Sequence, residues 1–181
     1  ENSLAVPLAL FGAALAGKPY APVSYRLADD RLRRIVERAA PAVLIAGEGV
    51  AERLGPMDGV EVLSRADFLA RADDESVPEA DGWGCDPDAT AVLLFTSGTT
   101  GEPKAAVLRH RNLAAYLVGS VEFGGAGEDE AALVSVPPYH IASVSAVLSN
   151  AYAGRRVVQL ERFEPVPWVA AVRAEQVTSA M

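Results

Sequence analysis

Residues 91–104 read Ala91-Val92-Leu93-Leu94-Phe95-Thr96-Ser97-Gly98-Thr99-Thr100-Gly101-Glu102-Pro103-Lys104, in a chain of 181 residues. The first five are uninterrupted apolar residues, the pattern of a strand buried on both faces, which belongs to a parallel sheet covered by helices. From Thr96 to Gly101 the chain then holds four hydroxyl side chains and two glycines in six positions. In a parallel α/β sheet, ligands collect beyond the carboxyl ends of the strands, where this segment follows. Glycine lets backbone approach a ligand closely. Successive N–H groups then form an anion-binding concavity to which hydroxyls add donors. Lys104 brings a mobile point charge suited to phosphate. A solvated turn with an incidental lysine is the plain alternative, and so many consecutive small or hydroxyl residues ending in Gly-x-Pro-Lys argue against it. The spacing also departs from the Walker pattern: Gly98 and Gly101 are three apart, and Pro103 stands in the first turn of any helix that would open there.

Outward from this point the pattern alternates. Upstream, Leu4 to Gly17 reads as a buried helix stopped by Gly17 and Pro19, with a short extended piece at Tyr20 to Val23. Ala28 to Ala39 is a clearer helix, with Asp29 and Asp30 in its first turn and Leu32, Ile35, Val36 and Ala39 on one face. A short strand at Ala42 to Ile45, a helical turn at Val50 to Leu54, a strand at Val60 to Leu63 and a helix at Arg65 to Arg71 continue the series. Asp73 to Asp88 is acidic, without periodicity, and reads as a surface linker. Downstream, a helix over Arg109 to Val121 is expected directly after the glycine-rich loop. There follow a strand at Leu133 to Val136, a helix at Ile141 to Ala153, a strand at Arg156 to Leu160 and a helix at Pro165 to Ala174, with a further element starting at Val177. The fold class is α/β, a mostly parallel sheet with helices on both faces. Residues 1–72 form a first α/β segment, 73–88 the acidic linker, and 89–181 the segment bearing the loop.

Composition narrows the function. Half the residues are apolar, which excludes a disordered chain. Sixteen Lys and Arg against 24 Asp and Glu give a net charge of −8, which argues against nucleic-acid binding, since that needs a basic footprint. Cys85 is the single cysteine; it excludes an internal disulfide and fits a reducing compartment, so cytoplasmic localisation is expected. The apolar run Leu4 to Ala16 lacks the positive flank of a secretory signal and is too short to span a bilayer. The chain opens on Glu1 rather than Met, so it reads as part of something longer.

Phe95 to Lys104 resembles the phosphate-binding signature of the adenylate-forming ligase superfamily: acyl-CoA synthetases, peptide-synthetase adenylation domains and luciferases. Leu8 to Val23 is similar to the family's early Ala-Gly-x-x-Tyr-x-Pro segment. His110-Arg111-Asn112-Leu113 follows the lysine at the family's spacing, and Val136-Pro137-Pro138-Tyr139-His140-Ile141 resembles the block where acyl- and aryl-CoA synthetases carry Pro-x-aromatic-His. Ala153-Gly154 through Phe163, then Val177-Thr178, resembles the strand and helix beyond, so the likeness covers nearly the whole chain.

The resemblance implies a reaction in two halves: a carboxylate attacks the α-phosphate of ATP to give an acyl-adenylate and pyrophosphate, and coenzyme A or a carrier thiol then displaces AMP. It implies that Thr96, Ser97, Gly98, Thr99, Thr100 and Gly101 wrap the β- and γ-phosphates while Lys104 offsets the charge of the departing pyrophosphate. Tyr139 and His140 fall at the substrate's carboxyl end, where His140 orients the carboxylate. The bland reading of that histidine is a helix-entry residue satisfied by a backbone carbonyl. Pro-Pro-Tyr-His favours a CoA ligase over a peptide-synthetase adenylation domain, whose block usually carries an acidic residue instead of His. The family has Gly where this chain has Ala105, and more often Val where it has Ala106; the methyl at 105 is expected to restrict loop opening. The family's adenine, ribose and most magnesium contacts, and its C-terminal domain, correspond to no segment of these residues. The chain alone is therefore expected to be inactive and to expose apolar faces open to self-association. Two rivals stand beside the ligase: a non-catalytic module that grips nucleotide phosphate, and an unrelated α/β protein whose loop holds a flavin or sugar phosphate. His110 and the run Arg31, Arg33, Arg34 read as structural, the arginines as a solvated helix face.

Overall fold

The computed structural model describes residues 1–76, 86–96 and 104–181, with Thr96 described by its backbone alone. In chain order the elements are α1 (Ala5–Leu15), then α2 (Asp29–Arg38), β1 (Ala42–Ala46), α3 (Val50–Leu54), β2 (Val60–Ser64) and α4 (Arg65–Ala72). These are followed by β3 (Thr90–Thr96), β4 (Lys104–Arg109), α5 (His110–Ser120), β5 (Ala131–Val134), α6 (Ile141–Ala153), β6 (Arg156–Gln159), α7 (Pro165–Ala174) and β7 (Ser179–Ala180). The class is α/β. Among the described residues, β1 pairs with β2 in parallel, and β5 lies between β6 and β7, parallel to both. The pairing of β3 with β4 is antiparallel, the exception among these mostly parallel pairs.

Contacts divide the chain into two compact units, Glu1–Pro22 with Trp83–Met181, and Val23–Gly82. The N-terminal helix therefore groups with the later residues. In the first unit, Ala91, Val92 and Leu94 of β3 form a core with Leu10 of α1 and Val144 and Val147 of α6. Tyr20 joins β3 directly: its N–H donates to the Ala91 carbonyl (2.8 Å), and its carbonyl accepts from Leu93 N–H (2.9 Å). Gly17, at φ +62°, ends α1 in the left-handed conformation that glycine adopts without strain. The expectation of a buried α1 is only partly met. Ala5 and Leu10 are buried, while Leu4 is 68% exposed and Leu8, Phe11 and Leu15 are exposed too. The helix is apolar all round, but one stripe of a helix is all that one sheet surface covers.

The second unit has its own core of Leu32, Val36, Leu54 and Met57, with Leu44, Val60 and Val62 packed against it. The arginine run keeps its expected outer face at Arg34, which is exposed, while Arg33 also reaches a neighbouring helix end. Arg33 donates to the Leu54 carbonyl and, at 2.8 Å, to the Pro56 carbonyl, while its Nε pairs with Glu37 at 2.8 Å. The reason is local: α3 ends at Leu54 with unpaired carbonyls, and a guanidinium presents enough donors to satisfy them and a carboxylate at once. The chain leading into β3 is likewise tied down. Pro87 and Ala89 carbonyls accept the N–H groups of Arg111 (2.9 Å) and His110 (3.2 Å), two of the orphan donors in the first turn of α5. Residues 77–85 of that stretch, Cys85 among them, lie outside the described residues. Among the described residues no helix is long and apolar enough to cross a membrane.

Two predictions follow from these cores. Burial against β3 pushes the Tyr20 phenol up to about 12, from 10.0. Below pH 10 the group is neutral folded or unfolded; above it the unfolded chain ionises first, so stability should fall as pH rises from 10 through about 12. Difference absorbance should show a phenolate step near pH 12 that Tyr20→Phe removes. Arg33→Ala should cost roughly 1 kcal/mol, the net worth of a hydrogen bond of this kind, lowering the thermal midpoint by a few degrees in calorimetry. An unchanged midpoint would show that the α3 carbonyls are satisfied without it.

Candidate functional site

The site is built around the carboxyl end of β3. In the β3–β4 register Thr96 stands opposite Lys104, Phe95 opposite Ala105 and Leu94 opposite Ala106. Lys104 is therefore the first residue of a strand, not the prelude to a helix, and its side chain is exposed. The helix expected over Arg109 to Val121 is α5, which runs from His110 to Ser120. Strand β4 escapes sequence reading because all its residues except Leu108 are exposed, so no alternation of apolar and polar residues marks it. Ala105 sits in extended backbone within this ladder, a conformation open to any residue, so its methyl causes no strain there. Ser97, Gly98, Thr99, Thr100 and Gly101, and the Thr96 side chain, lie outside the described residues.

His140 stands at the head of α6, with backbone angles of −91° and 145° that place it just outside the helix. Its carbonyl accepts from Ser143 N–H at 3.0 Å, and its own N–H donates to the Pro137 carbonyl at 3.1 Å. The imidazole makes no cap to the helix; it is exposed, with its ring centre 4.8 Å from that of Tyr139 at a tilt of 41°. That geometry suits a ring presented outward and braced by its neighbour. His110 is the first residue of α5, whose start is closed by Asn112 Oδ1 accepting the Arg109 N–H at 2.9 Å.

Between the element bearing Lys104 and the one led by His140 lies an apolar cleft of about 250 Å³. Leu108 of β4, Leu113 and Tyr116 of α5, and Ile141 and Leu148 of α6 line it. A second cleft, about 310 Å³, opens between α5, α6 and the β5–β7 pair. It is more polar, with Tyr116, Ser149, Asn150 and Arg155 on its walls. Arg155 is held there by Glu130 Oε2 (2.7 Å from Nε) and Asn150 Oδ1 (2.8 Å from Nη1). No sequence motif announces that triad, since its members are joined only by the turn at Gly127 and the end of α6. Among the described residues no three His, Cys, Asp or Glu side chains gather as a metal site.

The family model for AMP-binding enzymes matches residues 1–181. A feruloyl-CoA synthase of an Amycolatopsis species is 32% identical over 171 residues, covering 93% of this chain and 34% of the relative. Among solved structures, a fatty acyl CoA synthetase of Mycobacterium tuberculosis superposes with a TM-score of 0.83 at 21% identity, over 99% of this chain and 36% of that one. An o-succinylbenzoate CoA synthetase of Bacillus subtilis, solved with ATP and magnesium ion, gives 0.76 at 19% identity, over 99% of this chain and 37% of that one. These likenesses establish the fold as that of the N-terminal domain of adenylate-forming ligases. The chain spans about a third of the length of the proteins it matches.

The Arg155 triad makes the wall of the polar cleft sensitive to acid. The Gly127 N–H, foremost, and the Arg155 guanidinium hold the Glu130 carboxyl below its ordinary 4.5. A depressed carboxyl stabilises the fold above its unfolded value, and that contribution is lost as pH falls through the folded one. The stability of the wild type, followed by circular dichroism, should therefore fall more steeply as pH drops below 4.5 than that of Glu130→Gln, whose curve should be flatter on that limb.

Proposed function

The chain belongs to the AMP-binding enzyme family, and we propose that it is the phosphate-gripping part of an ATP-dependent carboxylate–CoA ligase. In that reaction a carboxylate oxygen attacks the α-phosphorus of ATP, pyrophosphate leaves, and the thiol of coenzyme A then attacks the acyl carbonyl and expels AMP. The observation that carries the reading is the pairing of Thr96 with Lys104. It sets an ammonium-bearing residue at the end of the buried strand where the hydroxyl- and glycine-rich segment departs. We assign Thr96, Ser97, Gly98, Thr99, Thr100 and Gly101 to the β- and γ-phosphates, and Lys104 to the charge that develops as pyrophosphate departs. This is catalysis by positioning and electrostatics, with no covalent intermediate on the protein.

His140 and Tyr139 we assign to the acid. An exposed imidazole at the head of α6 has an N–H donor to offer a carboxylate oxygen. The apolar cleft that begins at the next residue, Ile141, supplies one wall for the acid's non-polar part. Magnesium accompanies the triphosphate in this reading.

The test is acid-dependent exchange of pyrophosphate into ATP by the full-length protein that carries this chain, with ferulate as the probe acid. Lys104→Ala should lower kcat by about 10²-fold, the usual cost of removing one preorganised electrostatic contact. Full exchange by that variant would take Lys104 out of the mechanism. His140→Ala should lower kcat/KM for the acid about 10- to 100-fold, the equivalent of one hydrogen bond to a charged group. Exchange that ignores the acid altogether would sink the ligase reading.

A further inference from the structure

Asn2 is buried, with 3% of its surface exposed, and it ties together three places far apart in sequence. Its Nδ2 donates to the carbonyls of Val136 and Leu160, each at 3.0 Å, and its backbone N–H donates to the Glu161 carbonyl at 3.1 Å. Its Oδ1 is also buried and has no hydrogen-bond partner among the described residues. An apolar side chain of similar size would remove that unsatisfied oxygen but would withdraw the donors from the Val136 and Leu160 carbonyls. What the amide secures in exchange is the loop at the end of β5.

Val136 is followed at once by Pro137 and Pro138, whose rings fix φ. The turn then closes through the bond from His140 N–H to the Pro137 carbonyl. A carbonyl held at Val136 is thus joined to the His140 backbone by a short, stiff piece of chain, and the His140 ring rests on that of the preceding Tyr139.

We propose that Asn2 is a positioning residue for His140: its two amide donors tie Val136, just past β5, to Leu160, just past β6, and the Pro-Pro turn carries that position to the imidazole. What His140 does with the position rests on the ligase reading; how it is held does not.

The test reads the histidine itself. In protein labelled at the histidine Cε1, the His140 resonance is assigned by its loss in His140→Gln, and His110 at the start of α5 serves as internal reference. The neighbouring Tyr139 ring makes the His140 signal sensitive to small movements. Asn2→Asp keeps the side-chain shape but removes both donors, and Asn2→Ser is a smaller second variant. Either should move the His140 signal while leaving His110 in place. An unmoved His140, or both signals moving together, overturns the proposal. In wild type, a scalar coupling from Asn2 Nδ2 to the Val136 carbonyl is expected, and its absence overturns the clamp even if the variants fail to fold. With ferulate as probe, Asn2→Asp should raise the KM for the acid severalfold and leave the KM for ATP unchanged; equal changes in both overturn a role through His140. A moved His140 signal in a protein whose wild type shows no acid-dependent exchange would sustain the clamp and discard the ligase reading.

Discussion

Strand β3 must have its backbone groups satisfied along both edges, because it is buried on both faces. Val92 has no exposed surface, and Ala91 and Leu94 have little. Water cannot reach such a strand, and an unpaired buried N–H or carbonyl costs about 1–3 kcal/mol. Tyr20 meets Ala91 and Leu93, while β4 runs antiparallel along the strand from Thr90 to Thr96. The helices on its faces are then those with apolar stripes to offer, α1 through Leu10 and α6 through Val144 and Val147.

From that requirement the chemistry of the site takes its positions. The register of the ladder, not the flexible stem of a lysine, decides that residue 104 faces residue 96. His140 reaches its place by an independent route, through the end of β5, two prolines and the start of α6. The apolar cleft between them exists because β4, α5 and α6 each contribute one or two aliphatic or aromatic side chains to a common gap. The proposed reaction, which brings a carboxylate to a triphosphate, would draw on such an arrangement: the positive charge of Lys104 at one side and an apolar surface at the other. Rigid ladders and short turns supply it more reliably than long loops do.

Much of this was legible from residues alone, and for identifiable reasons. Helices α6 and α7 begin and end where periodicity, Gly154 and Pro165 say they should, since one apolar stripe and a strong stop signal leave little choice. The same holds for α2, whose Leu32, Ile35 and Val36 are buried as their spacing predicts. The unusual composition of residues 96–104 pointed to the family, whose model spans those residues with the rest of the chain. Strand β4 was not legible, because Lys104 to Arg109 is exposed nearly throughout and β3 alone recruits it. Arg33 looked like a surface charge until the end of α3 was placed beside it. Asn2 carried no signal at all, since its partners lie more than 130 residues away.

The sequence by itself determined what is local: the apolar run of β3, the amphipathic helices, the glycine stops, and the residue types able to hold phosphate and a carboxylate. These depend on neighbours within a few positions, and periodicity records them directly. Only the tertiary structure decided which strand closes the free edge of β3, which helix end Arg33 satisfies, and which distant amide grips the turn before His140. Those are hydrogen-bond debts of buried groups, settled by whatever donor or acceptor the fold brings near, and no pattern along one stretch of chain encodes the meeting.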